Sequence, residues 1–174
     1  MDLRYPIGQF RLEGNPTETQ IQTAIDEIAE APAKLRAAVE GLSAEQLETP
    51  YRPEGWTVRQ VVHHVPDSHL NSYIRLRLAL TEDTPTIKPY DENRWAQLED
   101  SRSAPIDVSL ALLGSLHERW VILLRSLGAA DFARHFKHPD IGVVSVGKNT
   151  CLYAWHGKHH VAHITFLRER MGWN

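Results

Sequence analysis

Cysteine is scarce in this sequence, and long apolar runs are missing from it. Cys151 is the only cysteine among 174 residues, so no disulfide can form within the chain. No stretch approaches the roughly 18 apolar residues that a membrane-spanning helix requires, and residues 1–6 carry no apolar run of the kind found in signal peptides. We therefore expect a cytoplasmic protein, compatible with a reducing compartment, that has no membrane partner.

An excess of basic residues is also absent. Lysine and arginine together number 19 against 22 aspartates and glutamates, which gives a formal net charge of −3. Because domains that bind nucleic acid usually carry a basic surface, we do not expect nucleic acid as a partner. The length, with no internal repeat and no low-complexity segment, predicts a single domain over residues 1–174.

Apolar residues recur at helical spacing in four long segments, and most prolines and glycines lie between these segments. Capping-box pairs, in which a serine or threonine is followed three residues later by glutamine, begin at Thr17, Ser43 and Thr57. The sequence therefore predicts an all-α fold, a four-helix bundle with irregular connections, whose long helices span about 17–42, 57–81, 107–127 and 149–171. An irregular arm at 1–16 and a long connection at 82–106 complete the chain, and such a connection can lie over the mouth of a site.

Three local features refine this prediction. Pro32 interrupts the first segment, and we predict one kinked helix because the apolar seam resumes in phase after the proline. Gly128 is predicted to stop the third helix as its C′ residue. Val143, Val144 and Val146 predict a short extended piece before the last helix.

The histidines carry the main functional signal. Seven of the ten fall in two clusters, one on the second long helix and one on the last: His63, His64, His69, and His156, His159, His160, His163. On the last helix, two pairs share the i, i+4 spacing that chelates a metal ion, so spacing does not choose between His156 with His160 and His159 with His163. The same ambiguity holds for His63 and His64. Uncharged imidazoles find few partners in a dry core, which favours a metal site over a solvated surface cluster or a pH-sensitive packing cluster.

The motifs around these histidines resemble those of the DinB-like metal-binding helix bundles. The resemblance is strongest to their YfiT-type branch of metal-dependent hydrolases and bacillithiol transferases, and it covers nearly the whole chain. Its segments are the arm at 5–10, the run from Gly55 to His64, residues 67–69, residues 89–92, and the stretch from Trp155 to Ile164.

The resemblance implies a set of metal ligands. The first is His64, eight residues after Trp56, and the other two are His156 and His160. Many broader family members continue with a Gly-Gln pair where this chain has Ala162 and His163. The difference leaves three roles open for His163: a residue that contacts a metal ligand, a proton acceptor or a substrate contact. We expect one divalent metal ion, with zinc or nickel preferred among the metals that suit imidazole. We also expect a homodimeric assembly.

Three neutral imidazoles with an open coordination position are typical of a catalytic site. The primary prediction is an enzyme that transfers a small, bacillithiol-like thiol to an electrophilic substrate, with the thiol taken from solution rather than from Cys151. The alternatives are a hydrolase that uses metal-bound hydroxide on an ester or amide, and a bundle that binds metal without turnover. Asp67 and His163 are the candidate catalytic side chains, although Asp67 fits a surface or helix-capping carboxylate equally well.

Overall fold

We describe residues 2–173 of the protein from a computed structural model. Over this range the chain forms eight helices and one β-hairpin. In chain order these elements are α1 Glu18–Val39, α2 Ala44–Leu47, α3 Val58–Thr81, α4 Glu92–Trp95, α5 Glu99–Ser103, α6 Ile106–Arg125, α7 Ala129–Phe132, β1 His135–His138, β2 Gly142–Ser145 and α8 Val146–Met171.

Four of these helices form the bundle. Helix α1 packs against α6 and α8, and α3 packs against the same two helices from the other side. The predicted all-α four-helix bundle is confirmed, with one addition. Strands β1 and β2 pair antiparallel, with Phe136 opposite Val144, and the connection before α4 runs beside β1, where the Ile87 amide donates to the Lys137 carbonyl at 2.9 Å.

The three predicted capping boxes start α1, α2 and α3. In each, the Thr or Ser hydroxyl accepts from the backbone amide three residues on, and the glutamine side chain accepts from the cap's own amide, as in the pair Thr57 and Gln60. These contacts satisfy two of the four amides that a helix start leaves unpaired. The start of each of these helices is therefore encoded locally.

Pro32 lies inside α1 without ending it, as predicted. An interior proline costs about 3 kcal/mol. The apolar seam offsets this cost, because Ile25, Ile28 and Leu35 are at most 1% exposed and each buried side chain contributes about 1.5–3 kcal/mol. The helix therefore continues past the proline.

Two predicted boundaries near α7 and α8 were wrong. Gly128 has a φ of −97°, so it is not the left-handed residue that would stop α6, which is capped by Ser126. Its amide instead donates to the Asp131 carboxylate at 2.9 Å and begins α7. Val146 is the first residue of α8 and not part of the extended piece, because the Ser145 hydroxyl accepts from the Lys148 amide and caps the helix there. At the other end of α8, Gly172 has the left-handed φ of 66° that a C-terminal glycine supplies.

The core of the bundle is apolar at both ends and polar in the middle. One apolar cluster includes Ile25 and Trp120, and the other includes Leu35 and Val62. Each end of α8 contributes to one of these clusters. The histidines lie between the two ends and point into the core. Within residues 2–173, no helix is both long and apolar enough to cross a membrane.

Candidate metal centre

Three histidines from two neighbouring helices converge on one point. His64 comes from α3, and His156 and His160 come from adjacent turns of α8. One nitrogen from each ring lies within 4.8 Å of the other two, and the Nε2 atoms of His64 and His156 are 3.4 Å apart. The geometry thus selects one of the two equally spaced pairs on α8 and one of the two neighbouring histidines on α3.

The environment keeps these imidazoles uncharged. Burial lowers the pKa of His64 to about 3 and holds the pKa values of His156 and His160 well below the ordinary value, and the neighbouring histidines add to the effect. A neutral imidazole presents one lone pair, which is the form that binds a metal. Three such nitrogens at this separation fit a first-row divalent ion, for which imidazole is a suitable ligand.

The competing histidines point elsewhere. His63 Nδ1 lies 2.7 Å from the Ser109 hydroxyl and its Nε2 lies 3.1 Å from the Ala104 carbonyl, so both nitrogens are already used. His163 Nε2 lies 3.2 Å from the Arg4 carbonyl, and its ring stacks on Tyr51 at 4.0 Å between centroids. His63 therefore belongs to the packing of α3, and His163 lines the site without joining the three.

A cavity of about 540 Å³ opens over the three histidines. Its walls come from the N-terminal arm, the loop before α3, the connection before α4 and the β-hairpin, so the predicted long connection does lie at the mouth. The lining is polar and carries equal numbers of charged groups of each sign: Arg4, Arg52, Arg75, and Glu54, Glu92, Asp140.

Aromatic rings flank the converging histidines. The ring of Trp56 lies 4.6 Å from that of His64, and Trp155 stacks on His159 at 4.5 Å. Tyr5 of the arm approaches His159 at 5.9 Å. These rings explain why His159 is buried although it does not belong to the converging three.

Comparison with known proteins decides the family. A sequence model described as the DinB superfamily matches residues 27–164. The chain belongs to the DinB superfamily. Its DinB relatives include proteins of Bacillus mycoides and Bacillus cereus, both 58% identical over 172 residues that cover 99% of each chain. Each of these relatives is named a "Putative metal-dependent hydrolase".

Two solved structures share the four-helix bundle fold. YfiT from Bacillus subtilis, described as "a probable metal-dependent hydrolase with an unusual four-helix bundle topology", is 51% identical, with a TM-score of 0.97 over 100% of both chains. TT2238, a four-helix bundle protein, is 20% identical, with a TM-score of 0.56 over 81% of this chain and 94% of its own. The second likeness concerns the fold alone.

Asp67 lies beside the site but not in the wall of its cavity. Burial, with a smaller contribution from the like charge of Asp100, raises its pKa to about 6. The next residue, Ser68, does line the cavity, and its hydroxyl lies 3.4 Å from His156 Nε2 and 3.3 Å from the Tyr153 hydroxyl. The catalytic role of Asp67 stays a prediction.

One residue near this DinB-type site escaped the sequence analysis. His117 of α6 is 1% exposed and contacts His69 behind His156. The sequence did carry a signal, because His117 interrupts the buried leucine stripe of α6 four residues after Leu113. A lone polar residue on an apolar helix face requires a partner in the core.

Proposed function

We propose that His64, His156 and His160 hold one divalent ion, zinc or nickel, in an enzyme that transfers a small thiol to an electrophile. The observation that carries the proposal is the convergence of three imidazole nitrogens beneath a polar cavity. When bound, such an ion supplies an open coordination position and favours a thiolate over a thiol at neutral pH.

The charges of the cavity support a small thiol that carries groups of both signs. The lining contains Arg4, Arg52 and Arg75 together with three carboxylates, so its formal charge is zero. In the part of the chain from 2 to 173, none of the three arginines forms an ion pair, and the Arg75 Nε is buried without a hydrogen-bond partner. Guanidinium groups without an ion-pair partner suit carboxylates, and the carboxylates of the lining suit an ammonium group. Amino-acid-derived thiols of the bacillithiol type carry both.

The chain's own groups can orient such a substrate and limit access of water. Burial raises the pKa of Tyr90, so its hydroxyl stays protonated and can donate to a substrate oxygen. The Arg4 carbonyl can only accept, so His163 donates to it through Nε2 and fixes the arm over the site. Cys151 is removed from this chemistry, because its sulfur lies 4.0 Å from the Gln20 carbonyl on the α1 side.

Hydrolysis is the second candidate, because the Bacillus relatives are named for it. The same three imidazoles and the same cavity would serve an ester or amide substrate, with water in place of the thiol. The two reactions differ in whether product formation requires a thiol.

The first test is metal analysis of the purified protein beside His64→Ala and His156→Ala, with His63→Ala as the matched control. We expect about one ion per chain in the wild type and in the control, and a clear loss in the two site variants. Undiminished metal in both site variants would contradict the three-histidine site.

The second test separates the two reactions. Protein, a small zwitterionic thiol such as cysteine and a fluorogenic alkyl halide are mixed, and the thioether adduct and released halide are measured. We expect adduct formation that depends on protein, thiol and metal together. Loss of the halide at the same rate without thiol would favour the hydrolase.

A further inference from the structure

Behind His156, two more histidines continue inward to the backbone of α1. His156 Nδ1 lies 3.1 Å from His69 Nε2, His69 Nδ1 lies 2.8 Å from His117 Nε2, and His117 Nδ1 lies 2.6 Å from the Ile28 carbonyl. The chain thus joins α8, α3, α6 and α1. His69 and His117 are 0% and 1% exposed, so it runs through the dry core.

The carbonyl at the inner end is free because of Pro32. In an uninterrupted α-helix the Ile28 carbonyl would accept from the amide of residue 32. Proline has no amide hydrogen, so this acceptor is left without its helical partner and is available to His117. The proline in α1 thereby supplies the buried acceptor on which the chain of histidines ends.

This acceptor fixes the hydrogens along the whole chain. A carbonyl only accepts, so His117 donates through Nδ1, and in its neutral form its Nε2 keeps a lone pair. His69 must then donate to that lone pair through Nδ1, and its own Nε2 must accept from His156 Nδ1. His156 is left with its lone pair on Nε2, the atom 3.4 Å from His64 Nε2. Within residues 2–173, no carboxylate is hydrogen-bonded to any of these three rings, so a charge on one of them would be strongly unfavourable.

We propose that His69 and His117, anchored by the Ile28 carbonyl that Pro32 leaves free, are positioning residues that fix the tautomer and ring orientation of His156. The proposal rests on the metal site proposed above, and it adds residues outside the cavity. Partners behind a ligating histidine commonly set which nitrogen faces the metal. Here the partner of His156 is the imidazole of His69, whose tautomer is set in turn by His117 and the Ile28 carbonyl.

The test reads the tautomers directly in the metal-free, full-length protein labelled with ¹⁵N-histidine. Long-range ¹⁵N–¹H correlation spectra show which ring nitrogen carries hydrogen, and the His156 signals are identified by their loss in His156→Ala. We expect His156, His69 and His117 all to carry hydrogen on Nδ1. In His69→Phe the hydrogen of His156 should move at least partly to Nε2, because Ser68 and His64, each 3.4 Å from that atom, are its remaining partners.

Zinc affinity, measured by competition with a chromophoric chelator, gives the second readout. His69→Phe should weaken zinc binding roughly 10–100-fold, and His117→Phe should act in the same direction. Pro32→Ala should have a smaller effect, since it returns a competing amide to the Ile28 carbonyl. The matched control is His63→Phe, which removes another buried histidine of α3, one that is hydrogen-bonded to Ser109 and Ala104 instead.

The proposal is overturned if wild-type His156 carries its hydrogen on Nε2, or if His69→Phe and His63→Phe weaken zinc binding equally. Should His69→Phe fail to fold, His117→Phe decides by the same two readouts. A wild type that binds neither zinc nor nickel would refute the proposed function, whereas the tautomers of the metal-free protein would still decide the role of the histidine chain.

Discussion

His156 and His160 lie one turn apart on α8 and face the same point, yet their outer nitrogens meet different surroundings. His156 Nδ1 is paired with His69 at 3.1 Å. In the described part of the chain, His160 Nδ1 is buried without any hydrogen-bond partner, and Trp56 lies nearly parallel to its ring at 6.5 Å. One candidate ligand is therefore held by hydrogen bonds and the other by packing.

The difference teaches how a site can be built into an apolar core. A buried polar atom without a partner costs about 1–3 kcal/mol, so His160 lowers the stability of the metal-free protein. The chain behind His156 instead pairs the Nδ1 of His156 and both ring nitrogens of His69 and His117. If His156 is a ligand as proposed, its fixed ring sets the direction in which the ion would lie. The remaining ligands then need only to reach that point.

The largest expected effect is on metal binding and should be the same for both ligands. Replacing either His156 or His160 by leucine, an apolar side chain of similar size, should weaken zinc binding more than about 100-fold, beyond the usual effect of losing an outer partner. Competition with a chelator measures the loss. A variant that retains wild-type affinity would remove that histidine from the ligand set.

Combining variants sharpens this comparison. Because His69 acts on the site through His156, His69→Phe should add no further loss of affinity to His156→Leu. It should still weaken binding when added to His160→Leu. Equal further losses in the two backgrounds would show that His69 acts by general packing.

The second effect, on the stability of the metal-free protein, should separate the two residues. His156→Leu leaves His69 Nε2 without its donor, whereas His160→Leu removes an atom that was already unpaired. We expect His156→Leu to have the lower free energy of unfolding, by about 1–3 kcal/mol, in urea titrations with a chelator present. The reverse order would mean that the chain of histidines does not stabilise the fold.

The third effect is the pH dependence of that stability. Both histidines have folded-state pKa values well below the unfolded value of about 6.5. Below pH 6.5 the unfolded chain therefore binds more protons than the folded one, so stability is full above this pH and is lost as the pH falls. Each leucine variant should reduce that loss by a similar amount, at most about 1.4 kcal/mol per pH unit. A variant with the wild-type slope between pH 6.5 and pH 5 would show that the missing histidine does not stay neutral.

Part of this site could be predicted because it is local. The capping boxes at Thr17 and Thr57 fix where two long helices begin, and the apolar periodicity fixes which faces turn inward. The choice of His156 and His160 over the other pair came from the family resemblance. Spacing could not make it, because both pairs share i, i+4 spacing and only the packing of α3 against α8 separates them.

The rest depends on contacts between distant segments. Pro32 was predicted to kink its helix, but the Ile28 carbonyl that it leaves free gains a role only because α6 brings His117 Nδ1 within 2.6 Å of that oxygen. His117 lies in the buried leucine stripe of α6, where another leucine would be an ordinary core residue. No local pattern records that two such residues, 89 positions apart, meet.

The smallest effect concerns Asp67, three residues after His64 on α3. Its folded-state pKa of about 6 exceeds the ordinary 3.8, because of burial and then Asp100. The folded state therefore binds more protons between pH 3.8 and pH 6, so stability falls as the pH rises through this range and the cost persists above it. Asp67→Asn should thus raise the free energy of unfolding at pH 7.5, by about 1 kcal/mol or less, and leave it nearly unchanged at pH 3.5.

Comparing the pH–rate profiles of the two proteins tests the catalytic prediction, because a proton acceptor with this pKa gives an acid limb near pH 6 that the asparagine variant would lose. An unchanged limb would leave Asp67 a half-buried carboxylate that affects stability alone.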